Sequence, residues 1–127
     1  KAWKAHPFPE TAFGEDVAWA AAVLRNGWRI VYEPGSTVVH SHEMAVWKEY
    51  RRIRADHRNL FEVFGVHTVP DRESLRRNTT AQAAHYAGLL DKSNLAPVAR
   101  LYWRVMRWPY AWLENLAQYQ GARDAGA

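Results

Sequence analysis

The chain has 127 residues, 48% of them hydrophobic and 13% aromatic with seven tryptophans, a composition that folds around a core and excludes a disordered tail. It contains no cysteine, which excludes a disulfide framework, a thiolate metal site and a cysteine nucleophile, and fits a reducing, cytoplasmic setting. A formal net charge of +4 favours anionic partners, while the longest apolar run, Val17 to Leu24, falls far short of the ~20 residues that span a bilayer.

The opening string KAWKAHPFPE starts at Lys1 and reads as the middle of a polypeptide, so a longer parent protein is expected. Pro7 and Pro9 fix their own φ angles and push the residues before them towards extended geometry, which makes HPFPE a shaped loop. From Asp16 to Asn26 the apolar residues Val17, Ala20, Ala21 and Leu24 recur at helical spacing, with Ala18, Trp19, Ala22 and Val23 on the remaining faces. A helix apolar nearly all round is expected to be buried. Gly27 suits the left-handed residue that ends such a helix, and WRIVY after it has strand composition.

EPGS breaks the chain, and TVVHSH resumes an extended pattern that puts His40 and His42 on one face. Beyond Glu43, the residues Val46, Tyr50, Ile53, His57, Leu60, Phe61 and Phe64 form one stripe of a long amphipathic helix ending at Gly65. Asp71 can cap a second helix reaching about Leu90, and Asn94 a third that carries Leu95, Val98, Tyr102 and Val105. Pro109 should kink or restart that last helix, and the tail GARDAGA should fray. The expected core includes Val17, Trp19, Ala20, Leu24, Ile30, Val39, Tyr50, Ile53, Leu60 and Phe64.

The order of a PFPE loop, FGEDVAW, an apolar helix ending LRNGWRIVYEP and then STVVHSH resembles the C-terminal part of the nucleotide-sugar domain of family 2 glycosyltransferases, especially rhamnosyltransferase-like members. The resemblance covers about residues 2 to 43 and is looser beyond. It implies an α+β, predominantly helical fold. Residues 1–43 would be the acceptor-side edge of a GT-A domain, with one short helix and two strands, and residues 44–127 a C-terminal helical region of about three longer helices. It further implies that Asp16 is the catalytic base of an inverting transferase and Glu15 its neighbouring acid, with Trp19 as a substrate-binding candidate.

The base would take a proton from the acceptor hydroxyl as its oxygen attacks the anomeric carbon opposite the departing nucleoside diphosphate. A divalent cation, Mg or Mn, would stabilise that leaving group in the parent enzyme, and His40 or His42 could contribute to its site. A tight hairpin at Pro34 and Gly35 would instead return His40 towards Gly27, a helix length of ~15 Å from Asp16. The Asp-x-Asp triplet of the nucleotide-binding half occurs nowhere in the chain, and the Gln-x-x-Arg-Trp motif of processive synthases is also absent. The isolated chain is therefore expected to be inactive, and the parent to add one sugar per encounter.

The implied partners are a nucleotide-sugar donor and a saccharide or lipid-linked saccharide acceptor, at the cytoplasmic face of a cell membrane. Arg51, Arg52, Arg54 and Arg58 of KEYRRIRADHR form a candidate surface for anionic lipid. LYWRVMRWPYAW interleaves tryptophans with arginines in the manner of a membrane interface, and equally of a helix packing its aromatics. The competing function is a basic helical binding module for a membrane surface or nucleic acid; the chain shows no turn motif or aromatic signature of a nucleic-acid reader. Carboxylates in a first helical turn also complement the helix dipole without any chemistry, an effect of ~0.3–1 kcal/mol.

Overall fold

The computed structural model describes residues 1–10, 14–37 and 45–126. Every regular element among them is a helix: α1 Ala2–Ala5, α2 Glu15–Arg25, α3 Val46–Phe64, α4 Arg72–Asp91 and α5 Pro97–Asp124. The α+β expectation, with two strands from the edge of a GT-A sheet, is thereby corrected. WRIVY is not a strand, and Ile30, Val31 and Tyr32 are 56%, 79% and 86% exposed. β-propensity measures fit to a half-buried pleated surface, and no partner strand exists among the described residues to provide one. Most of TVVHSH, with His40, His42 and the expected core residue Val39, lies outside the described residues.

Local signals set the helix ends where side chains or glycines supply them. Gly27 adopts φ 80°, its amide donates to Leu24 O at 3.1 Å and that of Trp28 to Val23 O at 3.0 Å, which satisfies the last carbonyls of α2. Gly65, at φ 66°, closes α3 through its amide and Phe61 O at 2.8 Å. Asp71 caps α4, its carboxylate accepting from Ser74 N at 2.6 Å. The last helix begins at Pro97 rather than at an Asn94 cap, because proline at the first helical position forgoes an amide that has no partner there.

The last helix does not restart at Pro109 but runs through it; the carbonyl left without its amide partner belongs to Val105, a residue 63% exposed, where water can satisfy it. The tail does not fray before Asp124, since Gly121 and Ala122 are buried against the bundle.

α5 is the central element, flanked by α3 and α4, while α2 packs on α3. Gln82 bonds Asn115 and Asp91 pairs with Arg104, so α4 and α5 run antiparallel. The pairings Tyr50 with Gln120 and Arg54 with Asp124 advance in the same direction, so α3 and α5 run parallel. Among the described residues, the buried apolar set is small in volume: Ala21, Val23, Tyr50, Val69, Ala83, Ala111, Ala117 and Ala122. Tyr50 joins the core as expected, whereas Leu24, Ile30 and Phe64 are exposed. Ala21 and Val23 are the buried residues of α2 while Leu24 is exposed, so the described residues do not enclose that helix.

The α3–α5 crossing depends on Gly121. A Cβ there would overlap the Arg54 carbonyl oxygen and stand 3.0 Å from Arg58 N and 3.1 Å from His57 Cβ. Tyr50 OH donates to Gln120 Oε1 beside this crossing, and the Arg54 guanidinium grips Asp124 through two bonds of 2.6 and 2.8 Å. Gly121→Ala gains up to ~1 kcal/mol of helix propensity but forces backbone against backbone, which no rotamer change relieves, so a net loss on the order of 1–2 kcal/mol is expected. The urea midpoint of the variant measures it; an unchanged or higher midpoint contradicts the close approach.

Candidate functional site

The N-terminus of α2 carries the candidate acids. Gly14 precedes it in the left-handed conformation, at φ 71°, and its carbonyl accepts both the Ala18 amide at 3.0 Å and the Asn59 side-chain amide of α3 at 3.3 Å. A side chain on Gly14 would displace the Asn59 carboxamide from its bond to the Gly14 carbonyl, and the left-handed backbone angle itself favours glycine. At the other end, Arg25 Nη2 donates to Val63 O at 2.7 Å, tying α2 to the last turn of α3. Both ends of α2 are thus fastened to one neighbouring helix.

Trp19 is committed to structure. Its Nε1 donates to His6 O at 2.6 Å and its ring stacks on Phe8 with centroids 5.1 Å apart, which anchors the HPFP loop to α2. Glu15 and Asp16 are exposed, and Asp16 Oδ1 accepts the Val17 amide at 2.8 Å. Neither forms an ion pair among the described residues.

Asp16 has a carboxylate neighbour in α3, Asp56, which binds Arg52 at 3.0 Å. Asp56 holds its proton more tightly than an ordinary aspartate: burial is the main cause, Arg52 and His57 oppose it, and the charges of Asp16 and Glu49 add to it. Burial lowers the proton affinity of His57, whose Nδ1 lies 3.0 Å from Thr68 Oγ1. His57 and His67 are half-buried, His67 against Phe61.

The four arginines expected to form an anionic-lipid surface are mostly neutralised. Arg52 pairs with Glu49 and Asp56, Arg58 with Glu62 and Arg54 with Asp124, which leaves Arg51 as the member without an ion pair among the described residues. No three histidine or carboxylate side chains come together as a metal site among the described residues, and His40 and His42 are outside them. The described residues do not furnish the expected cation site.

A polar cluster between α4 and α5 has no counterpart in the sequence-based reading. Gln82 donates to Tyr86 OH at 2.8 Å and to Glu114, Tyr86 OH donates to Glu114, and Asn115 Nδ2 donates to Gln82 Oε1 at 2.6 Å. Burial, then the bond to Glu114, pushes the Tyr86 phenol up to about 12. The i, i+4 spacing of Gln82 and Tyr86 was a visible signal, but pairing them with Glu114 required the α4–α5 register. Asn59 was missed for the same reason, because 45 residues separate it from Gly14.

No helix among the described residues is long and apolar enough to cross a membrane. Comparison with family models, with curated proteins and with solved structures finds no match to this chain.

The Asp16–Asp56 proximity has a direct test. Asp16→Asn removes one negative charge beside Asp56, so the Asp56 pKa should fall towards its ordinary value in a side-chain NMR titration. Because folded Asp56 binds its proton more tightly than the unfolded chain does, its contribution to stability declines as pH rises between the ordinary and the raised value, and the variant should narrow that decline. An Asp56 titration identical in both proteins would place the two carboxylates apart.

Proposed function

We propose that this chain is the acceptor-side and C-terminal helical part of an inverting, nucleotide-sugar-dependent glycosyltransferase, with Asp16 as the base that activates the acceptor hydroxyl. The observation that carries the reading is an exposed carboxylate, unpaired with any cation among the described residues, on a helix fastened at both ends. A base must be reachable by the acceptor and held in position, and a guanidinium bound to it would compete for the lone pair that accepts the proton. The string FGEDVAW within its PFPE and HSH context supplies the family resemblance. The reading does not lean on the two strands, which are absent from the described residues.

In this scheme the acceptor O–H lies against Asp16. Its proton passes to the carboxylate as the oxygen bonds to the anomeric carbon, and the bond to the nucleoside diphosphate breaks on the opposite face of the sugar. Trp19 positions the loop before the helix rather than the substrate, since its indole N–H is already engaged. Glu15 is the adjacent acid of the first turn, where both carboxylates also complement the helix dipole. Binding of the nucleotide sugar would fall to a parent protein that carries the Asp-x-Asp half absent from these 127 residues, and the proposal extends to that parent.

The parent enzyme provides the test. Asp16→Asn keeps the shape of the side chain and removes the proton acceptor, so transfer should fall by about 10²–10⁴-fold while nucleotide-sugar binding stays nearly unchanged. Single-turnover assays with a titrated donor separate the two quantities. Turnover equal to the wild type removes Asp16 from the mechanism.

A further inference from the structure

We propose that the outer face of α5, with Arg72 and Arg76 of α4 beside it, docks on an anionic phospholipid surface. Val98, Leu101, Val105, Trp108 and Trp112 recur at helical spacing on one face of α5 and are 82%, 66%, 63%, 46% and 47% exposed. They form a continuous apolar stripe ~21 Å long that no other element covers among the described residues.

The stripe has a charged end. Trp108 and Trp112 form one wall of an open groove of about 580 Å³ whose opposite wall carries Arg72 and Arg76. Both arginines are exposed, and neither forms an ion pair among the described residues, unlike Arg52, Arg54 and Arg58 on α3. They stand at i, i+4 in the first turns of α4, where two like charges repel, while Asp71 and Glu73 already complement the helix dipole. An anion in front of the arginines relieves their repulsion.

The combination fits a bilayer boundary better than the alternatives. A helix lying in that plane sinks its aliphatic face towards the acyl chains, holds tryptophans at headgroup level and directs cations at phosphates. Valine and leucine gain nothing from a nucleic-acid backbone. A second copy would cover the stripe, but at +4 it brings no net negative charge to the arginines. The inference is independent of the transferase reading, since no nucleotide sugar enters its test.

The 127-residue chain is mixed with vesicles of phosphatidylglycerol or of phosphatidylcholine, with sedimentation and tryptophan emission as readouts. Expected are co-sedimentation and a blue shift with phosphatidylglycerol only, both weakened by salt. At about fivefold per arginine, Arg72→Gln with Arg76→Gln should bind about 25-fold more weakly. Leu101→Gln with Val105→Gln should lose the blue shift, and all four positions are exposed enough for the helical circular dichroism to remain. Equal binding to both lipids, full affinity in the arginine variant, or self-association without vesicle binding would each overturn the proposal.

Discussion

The approach of two backbones at Gly121 sets the geometry of this molecule. Because α5 offers no side chain at that point, α3 can lie close enough for Tyr50 to reach Gln120 and Arg54 to reach Asp124. α3 then carries α2, through Asn59 to Gly14 and through Val63 to Arg25. The position of Asp16 is therefore fixed by a contact two helices away. The other side of α5 holds α4 through the Gln82, Tyr86, Glu114 and Asn115 cluster, and no described residue covers the face bearing Val98, Leu101 and Val105.

How much of this was legible follows from the range over which each signal acts. The cap at Asp71 and the glycines at 27 and 65 act within a turn, and the helix ends they imply are found. The bundle's tight packing was not legible, because apolar periodicity weighs large side chains while the buried residues of α5 are Ala111, Asn115, Ala117, Gly121 and Ala122. The expectation of a fraying tail failed for that reason. The strand composition of WRIVY also misled, since β-branched residues describe a surface to be covered and do not supply the partner that covers it.

The site divides the same way. Glu15 and Asp16 were readable as first-turn acids ahead of an apolar helix, and the structure places them there, exposed. Their support from Asn59 was not readable from spacing. On α3 the i, i+3 and i, i+4 pairs of Arg52 and Arg58 with acidic neighbours were visible in KEYRRIRADHRNLFE, whereas Arg54 needed the fold to find Asp124. The aromatic and basic mixture of α5 was evident as composition; which face it turns outward depends on where α3 and α4 pack.

Native-state amide hydrogen exchange tests the dependence on the α3–α5 crossing most directly. Amides of α3 around Arg54 to Arg58 and of α5 around Ala117 to Ala122 should share one opening free energy, the highest in the protein, and α2 should open no later than they do. Exchange of α3 through its own opening, with α5 still protected at Gly121, would show that the crossing does not hold the molecule together.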